Sequence, residues 1–347
     1  MKMNRLGRTD LVVSELCLGT MTYGNQTQEA DAHAQMDMAL DAGINFLDAA
    51  EMYPVNPVSR ETIGLTEEIL GNWFAKTGRR NDWIVATKHS GEGMEHVRDG
   101  APISSASVPE AVEGSLKRLK TDHIDLYQLH WPNRGSYMFR KNWTFDPTSQ
   151  DRTETLQNMA DVLGALGREI EKGRIRHIGL SNESAWGTMM WLQVAQAMAG
   201  PRMESIQNEY SLMCRMADTD LAEVMVHEDV SLLPFSPLAA GLLTGKYQNG
   251  AVPDGSRMAI NGNLGGRKTD RAFAAVDAYA KVAQEAGLDL ALMALAWSAQ
   301  RPFVASSIFG ATSADQLAHL LKAEDMTLSA DVLKALDDTH KQHPMPY

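Results

Sequence analysis

WIVAT at residues 83–87 is followed by SVPEAVEGSLKRLK at 107–120 and by IDLYQL at 124–129, and these three segments indicate the architecture. The first and last segments are short and apolar, as in buried strands, whereas the middle segment has its apolar residues at helical spacing. A strand, a helix and a second strand in this order predict a crossover unit with two parallel strands. The three segments therefore predict an α/β architecture built on a parallel sheet.

The same alternation continues in both directions along the chain. The strand candidates are Glu15–Leu18, Asn45–Leu47, Trp83–Thr87, Ile124–Leu129, Ile175–Leu180, Met203–Gln207, Val230–Phe235 and Val304–Phe309. The helix candidates are Glu29–Ala42, Thr66–Lys76, Ser107–Lys120, Thr155–Lys172, Ser184–Ala199, Asp218–Glu228, Arg271–Ala286, Ser313–Glu324 and Ser329–His340. Eight strand–helix units are the number that closes a barrel.

We therefore predict a single (β/α)8 TIM barrel over residues 1–347 that ends in a C-terminal helix. Two long loops are expected, Pro132–Glu154 after the fourth strand and Ser236–Asp270 after the seventh. Both would overhang the face where barrel active sites are built. The alternative is an open doubly wound sheet, which shares the strand–helix rhythm. No G-x-G-x-x-G follows an early strand, so a nucleotide, if bound, is not bound as in a Rossmann fold.

Composition narrows the functional classes. The 347 residues include 44% hydrophobic residues and carry a net charge of -12, which disfavours binding of nucleic acid or of an anionic membrane by the whole molecule. No apolar run is long enough for a membrane span, and MKMNRLGRTD at the N-terminus lacks the apolar stretch of a secretory signal. The two cysteines, Cys17 and Cys214, suit a reducing compartment. We expect a cytoplasmic protein without a metal site.

Polar residues at the ends of three consecutive predicted strands would converge in the barrel mouth. Asp48 ends the second strand, with Tyr53 in the loop behind it; Lys88 ends the third strand and His130 the fourth. Lys88 is expected to lower the pKa of Tyr53, Asp48 to balance the buried ammonium, and His130 to hold a carbonyl oxygen in line with the phenol. The four residues together predict proton delivery to a carbonyl oxygen.

DAAEMY at 48–53, TKH at 87–89 and DLYQLHWP at 125–132 resemble the three catalytic segments of the aldo-keto reductase family, in the same order. The likeness extends from LGTM at 18–21 to GATSADQL at 310–317. Within the family, the sequence resembles the branch that includes potassium-channel β subunits. It implies that Tyr53 is the general acid, that Lys88 and Asp48 tune it, and that His130 orients the substrate carbonyl.

The resemblance also implies a nicotinamide cofactor extended across the barrel mouth. Ser181, Asn182 and Gln207 match the residues that bind its carboxamide, and Phe235 matches the aromatic residue that stacks on the nicotinamide ring. Ser236, Leu238, Gly241 and Lys246 match the pyrophosphate-contacting stretch, and Arg257 matches an arginine that reaches the adenosine phosphate. The remaining cofactor positions by this resemblance are Gly19, Thr20, Met21, Gly310, Thr312 and Gln316.

The sequence departs from many relatives near Ala311 and Leu317, where a lysine and an arginine are common. A 2′-phosphate requires cationic donors, which leaves Arg257, together with Lys246, to provide them. We predict NADPH as the cofactor, with NADH less favoured.

The substrate is expected to be a small carbonyl compound with a flat or apolar body. Its pocket should be lined by Tyr23 and Trp131, with Trp83 and the aromatic residues of the first long loop as further candidates: Tyr137, Phe139, Trp143 and Phe145. Two other functions stay open: an NADPH-binding regulatory or redox-sensing barrel with little turnover, and an aldolase with Lys88 as Schiff-base lysine. The sequence does not indicate an oligomeric state.

Overall fold

The computed structural model describes all 347 residues, in ten strands and eleven α-helices. The strands are β1 (Met3–Arg5), β2 (Val12–Ser14), β3 (Leu16–Gly19), β4 (Phe46–Asp48), β5 (Ile84–His89), β6 (Ile124–Leu129), β7 (Ile175–Ser181), β8 (Met203–Gln207), β9 (Ser231–Leu232) and β10 (Ser307–Phe309). The helices are α1 (Glu29–Asp41), α2 (Leu65–Thr77), α3 (Ser107–Leu119), α4 (Arg152–Glu171), α5 (Ala185–Ala197), α6 (Asp220–Glu228), α7 (Arg257–Ile260), α8 (Asp270–Glu285), α9 (Leu290–Ala299), α10 (Ala314–Leu321) and α11 (Ala330–Gln342).

Strands β3 to β10 lie side by side in one sheet, in the order β10-β3-β4-β5-β6-β7-β8-β9. Every neighbouring pair in this sheet is parallel. The last gap closes through the backbone, because Leu232 N donates to Phe303 O at 2.8 Å and Ala305 N donates to Leu232 O at 3.0 Å. The prediction of a (β/α)8 barrel is therefore confirmed, and the open doubly wound sheet is wrong.

Two separate cores stabilise this barrel. The larger, of 72 buried residues, lies mainly between the sheet and the surrounding helices. The smaller has ten buried residues, among them Cys17, Phe46 and Leu126 on barrel strands. It also contains Leu6 and Leu11, which belong to an antiparallel hairpin of β1 and β2 that the sequence pattern did not predict. The hairpin therefore closes one end of the barrel with apolar side chains.

Backbone and side-chain bonds show which end the hairpin covers. Asn45, just before β4, accepts from Ser14 N at 2.8 Å, and Ser231, at the start of β9, accepts from Gly7 N at 2.8 Å. Both contacts lie at the N-terminal ends of barrel strands. The opposite end, where the strands finish, is left for the site.

Helix α9 is missing from the sequence-based prediction. Its residues, LALMALAWSA, are apolar on every side, so they show no amphipathic period from which a helix could be recognised. Nine of the ten are buried, and the Asp289 carboxylate caps the helix by accepting from Leu292 N at 3.0 Å. No helix in the chain combines the length and the apolar composition of a membrane span.

Strand boundaries differ most from prediction at the seventh strand candidate. Only Ser231–Leu232 pairs as a strand in the expected range 230–235. Pro234 has no N–H to donate to a ladder, which interrupts the pairing. The backbone still follows β8, because Phe235 N donates to Asn208 O at 3.0 Å. The long loops after β6 and β9 and the C-terminal helix α11 are present as predicted, and α7 lies within the second loop.

Candidate active site

The four predicted catalytic residues lie at the C-terminal ends of consecutive parallel strands. Asp48 is the last residue of β4, Lys88 is the penultimate residue of β5, and His130 follows β6 directly. Tyr53 lies in the loop after β4, where its N–H donates to Ala50 O at 3.0 Å in a tight turn. In a parallel barrel these positions share one mouth.

Lys88 is the centre of the group. Its side chain is 0% exposed, and Nζ donates to Asp48 Oδ2 at 2.7 Å and to Ala49 O at 2.8 Å. The Tyr53 hydroxyl lies 3.4 Å from Nζ. An ammonium needs such partners when it is removed from water. The arrangement places one buried positive charge between a carboxylate and a phenol.

The electrostatics of the pair differ in part from the sequence-based expectation. Burial opposes the charge of Lys88, but Asp48 and Tyr53 outweigh it and raise the pKa of the ammonium. Burial also raises the pKa of Tyr53 above its ordinary value, and the opposing effect of Lys88 does not cancel that increase. Lys88 therefore lowers the pKa of Tyr53 as expected, but burial has the larger effect, so the net pKa of the phenol lies above its ordinary value in the protein alone. Tyr53 is a protonated phenol at neutral pH.

His130 presents a neutral imidazole to the same space. Its ring meets the Tyr53 ring edge-on, with centroids 5.9 Å apart and an interplanar angle of 76°. Burial, followed by Lys88 and His89, holds the pKa of His130 well below its ordinary value. Its Nδ1 is buried and has no hydrogen-bond partner in the chain. A neutral ring can orient an oxygen by hydrogen bonding without adding a positive charge.

The titration behaviour of Tyr53 and His130 predicts a flat pH profile for any reaction in which the phenol donates a proton. Tyr53 stays protonated until the pH exceeds its raised pKa, and His130 stays neutral until the pH falls below its lowered pKa. We expect kcat/KM, which reports groups of the free enzyme, to be constant between about pH 6.5 and pH 9, and to fall only at more alkaline pH. Initial rates in buffers of constant ionic strength measure this. A limb centred near pH 6.5 to 7 would contradict it, because it would show that His130 titrates normally.

Ser181, Asn182 and Gln207 are brought together beside the four predicted catalytic residues, Asp48, Tyr53, Lys88 and His130, which we refer to as the catalytic group. Asn182 Nδ2 donates to His130 O at 2.9 Å and to Ser181 Oγ at 3.1 Å, while Ser181 Oγ donates to Gln207 O at 2.9 Å. Asn182 Oδ1 is buried without a partner. A buried orphan acceptor is costly unless a ligand satisfies it. An amide N–H₂ such as that of a nicotinamide carboxamide fits this acceptor.

Gln207 also contacts the catalytic group, which the sequence did not indicate. Its Nε2 donates to Asp48 Oδ1 at 2.8 Å, so the two carboxylate oxygens of Asp48 are divided between Gln207 and Lys88. Gln128, inside the DLYQLHWP segment, adds a longer contact of 3.4 Å from Nε2 to Asp48 Oδ1. Gln128 was not among the predicted site residues. An inward-facing polar residue on a buried strand is the signal that could have identified it.

The loop after β9 has an unusual backbone at the predicted cofactor residues. Ser236 has φ 54°, Ala240 has φ 57° and Gly241 has φ 91°, all in the left-handed region that non-glycine residues avoid. Such runs persist where the surroundings enforce them, often at ligand-binding loops. Phe235 and Leu238 in the same segment are half-buried and so retain accessible apolar surface. The loop therefore combines an enforced backbone conformation with accessible apolar side chains, as a ligand-binding segment would.

Arg257, on α7 within this loop, has no counter-ion. It is half-buried, makes no salt bridge, and has only a 3.9 Å contact from Nη2 to Met21 Sδ. Burial, together with Arg267, lowers its pKa. A partly desolvated guanidinium without an acidic partner fits an anionic ligand group.

The remaining predicted cofactor residues serve the fold to differing degrees. Thr20 Oγ1 donates to Asp48 O at 2.8 Å, and Thr312 Oγ1 lies 3.1 Å from Gln316 Oε1. A Cβ on Gly310 would lie 3.1 Å from Gly19 O, so these glycines let the ends of β10 and β3 approach each other. Lys246 is exposed, with Nζ 5.2 Å from the centroid of the Tyr247 ring.

Two of the aromatic residues expected in the substrate pocket lie elsewhere. Tyr23 is fully buried in the main core, and its hydroxyl donates to Gln35 Oε1 on α1 at 3.2 Å. Trp83 precedes β5, at the opposite end of the barrel from the mouth, and packs edge-on against Trp73. Neither residue offers a surface to a substrate. The expectation for these two residues is wrong because the spacing of residues along the sequence does not show in which direction a side chain points.

Trp131 and the loop after β6 do border the catalytic group. Trp131 lies 4.8 Å from His130 between ring centroids, and Phe139 meets Trp131 edge-on at 6.3 Å. Tyr137 and Phe145 of the same loop line a different cavity of about 760 Å³, which none of the four predicted catalytic residues lines. Trp143 is 68% exposed. Within this loop, therefore, Phe139 is the aromatic residue that contacts Trp131, which in turn lies beside His130.

No three His, Cys, Asp or Glu side chains are grouped in a way that could hold a metal ion.

Comparison with known proteins gives a consistent family assignment. The model of the aldo/keto reductase family matches residues 15–341. Protein tas of Escherichia coli K12 is 44% identical over an alignment that covers 100% of this chain and 99% of that protein.

Two further relatives carry different descriptions. The uncharacterized oxidoreductase YrpG of Bacillus subtilis is 33% identical, with 97% of this chain and 95% of the relative covered. A probable voltage-gated potassium channel subunit beta of Arabidopsis thaliana is 32% identical, with 99% and 98% covered. All these alignments span nearly the full chain.

Proposed function

Because the chain belongs to the aldo/keto reductase family, a family of oxidoreductases, we propose that it reduces aldehydes or ketones to alcohols with NADPH. In the reaction a hydride adds to the carbonyl carbon and a proton adds to the carbonyl oxygen. Tyr53 is the proton donor. The reverse reaction, oxidation of the alcohol, follows the same path.

The mechanism assigns one task to each member of the catalytic group. NADPH, when bound, supplies the hydride. Tyr53 and His130 together hold the carbonyl oxygen, and the Tyr53 hydroxyl transfers its proton as negative charge develops there. Lys88 stabilises the phenolate that remains, and Asp48 keeps Lys88 charged by holding Nζ at 2.7 Å.

The contact between Lys88 Nζ and the Tyr53 hydroxyl, at 3.4 Å, is the single observation that carries this proposal. A half-buried phenol beside a buried ammonium is a site for stabilising a phenolate, and that is what a tyrosine acid needs in its transition state. The aldolase alternative has less support. A Schiff-base lysine must lose its proton, whereas Asp48 and Tyr53 raise the pKa of Lys88 despite its burial.

A screen of NADPH oxidation tests the activity directly. Sugars, α-dicarbonyls, aromatic aldehydes and steroid-like ketones form the panel, and the alcohol product is identified for any compound that is consumed. We expect turnover with at least one class and a stoichiometry of one NADPH per alcohol. Tight NADPH binding with negligible turnover across the panel would instead support a regulatory barrel. That second candidate is favoured by one observation, the 32% identity to a protein described as a potassium channel β subunit.

The preference for NADPH over NADH rests on Arg257, the half-buried guanidinium without an acidic partner. Replacing it with methionine is expected to raise KM for NADPH by about 10- to 100-fold, the loss of a charge-assisted hydrogen bond, and to leave KM for NADH nearly unchanged. Lys76→Met on α2 is the control, since Lys76 is an exposed lysine on a helix outside the barrel. An equal increase of KM for both cofactors would contradict a contact with the 2′-phosphate.

The remaining parts of the proposal concern partner and location. A small carbonyl compound is the proposed partner, in keeping with a site at the barrel mouth and with the net charge of -12. Both cysteines are buried free thiols, which supports a reducing, cytoplasmic compartment.

A further inference from the structure

Glu51, two residues before Tyr53, is a buried carboxylate to which neither the mechanism nor the family resemblance assigns a task. It is 3% exposed. Arg98 binds it with both ends of its guanidinium, Nη1 to Oε2 at 2.6 Å and Nη2 to Oε1 at 2.6 Å. Ser90 N donates to Oε1 at 2.5 Å. Three charge-assisted bonds therefore fix this side chain in one orientation.

These bonds connect the two segments that carry Tyr53 and Lys88. The N–H of Glu51 donates to Lys88 O at 3.3 Å, and its carboxylate accepts from Ser90 N two residues further on. Glu51 thus holds the end of β5 on both sides of His89. Tyr53 follows in the same turn through its bond to Ala50 O. The relative position of phenol and ammonium depends on this junction.

Arg98 anchors the junction from the loop between β5 and α3. Its Nη2 lies 3.1 Å from His89 Nδ1, and the other ring nitrogen of His89 lies 2.9 Å from Ser107 Oγ at the start of α3. Burial opposes the charge of Arg98, but Glu51 outweighs it and raises the pKa of the guanidinium. Arg98 and Glu51 therefore remain an ion pair across the neutral range.

We propose that Glu51 and Arg98 are positioning residues, whose ion pair sets the separation between the Tyr53 hydroxyl and the Lys88 ammonium. The inference rests on the proposed role of Tyr53 as proton donor. A buried ion pair is weak support for stability, since apolar residues can often replace it. Its location between the two catalytic segments gives it a specific task, because a displacement of about 1 Å at a reacting group can cost about 100-fold in rate.

Glu51→Gln is the first test, because it retains the shape and an acceptor for Ser90 N but removes the charge that holds Arg98. We expect kcat for carbonyl reduction to fall by about 100-fold while KM for NADPH stays within about twofold. Glu169→Gln is the matched control. Glu169 is also buried and ion-paired, with Lys172 Nζ at 2.6 Å and Arg174 Nη1 at 3.3 Å, but it lies near the N-terminal end of β7. The Glu169→Gln variant should be less stable than the parent protein but should retain its kcat.

Titration of Tyr53 supplies a readout that needs no turnover. The ultraviolet difference spectrum between each background and its Tyr53→Phe counterpart follows the phenol in the cofactor-free protein. Removing the negative charge of Glu51 would by itself lower the pKa of Tyr53. Moving the phenol away from Lys88 would raise it, because the Lys88 ammonium opposes the effect of burial. We expect the pKa of Tyr53 to rise in Glu51→Gln and to stay unchanged in Glu169→Gln.

A downward or absent shift, or an unchanged kcat, would overturn the positioning role. If Glu51→Gln does not fold, Arg98→Lys serves the same purpose, since it keeps the charge but cannot bind both carboxylate oxygens. It should show the same changes in kcat and in the Tyr53 titration, and parent values for both would overturn the inference. Failure of the proposed function is a separate result: turnover that survives Tyr53→Phe.

Discussion

Replacing Tyr53 with phenylalanine is expected to lower kcat for carbonyl reduction by about 10²- to 10⁴-fold, the usual contribution of a positioned proton donor. The folded structure should change little, because the hydroxyl makes a single contact of 3.4 Å, to Lys88. KM for NADPH should also change little, because the proton moves only in the transition state. Steady-state rates with any carbonyl that the parent protein accepts measure the effect.

Tyr279→Phe is the matched control for this substitution. Its hydroxyl is buried and donates to Leu212 O at 2.7 Å on the outer side of the barrel, on α8. It should lose about 1 kcal/mol of stability, the typical contribution of a hydrogen bond, and retain kcat. If Tyr53→Phe behaves like Tyr279→Phe in turnover, the proton comes from elsewhere.

Replacing Lys88 with methionine is expected to have the largest effect on stability. The substitution leaves the Asp48 carboxylate buried with no cation, and breaking a buried pair in this way costs about 3–5 kcal/mol in the free energy of unfolding. Gln207 remains bound to Oδ1 but carries no charge. The kcat should fall as well, because the phenolate of Tyr53 loses the charge that stabilises it. Urea unfolding and initial rates give the two quantities.

The double variant Lys88→Met with Asp48→Asn separates the two effects. With both charges removed, no uncompensated carboxylate is buried, so most of the lost stability should return. Activity should not return, since the ammonium is still missing. Parent-like stability of Lys88→Met alone would contradict the buried ion pair, and recovery of kcat in the double variant would contradict the role of Lys88.

The parts of the site that the sequence predicted depend on strand ends. Asp48, Lys88 and His130 each follow a recognisable apolar run, and parallel strands bring their C-terminal ends together whatever the intervening helices contain. The convergence of these three with Tyr53 therefore required only the strand–helix order. The same reasoning could not detect α9, whose uniform apolarity hides its period, or the direction in which Tyr23 points.

The contacts that sequence reasoning missed are those made by residues from unrelated parts of the chain. Gln207 and Gln128 meet Asp48 inside the barrel, and Arg98 reaches Glu51 from a loop without periodicity. The pKa of Tyr53 was expected to fall because its cationic neighbour was recognised. The sequence did not show how far burial removes the phenol from water, and burial has a larger effect on this pKa than Lys88 has. The effect of burial on a pKa depends on how deep the group lies in the fold, and the order of residues along the sequence does not give that depth.

The pairing of β10 with β3 has a consequence for how the chain acquires its structure during synthesis. Each of the other pairs within the sheet joins strands that are consecutive along the chain. Ser307–Phe309 instead pairs with Leu16–Leu18, from which it is separated by most of the length of the chain. Closing so long a loop is entropically costly and comes late. A nascent chain still held on the ribosome before residue 307 leaves β3 with an unpaired edge, which makes it a candidate for chaperone binding until translation is complete.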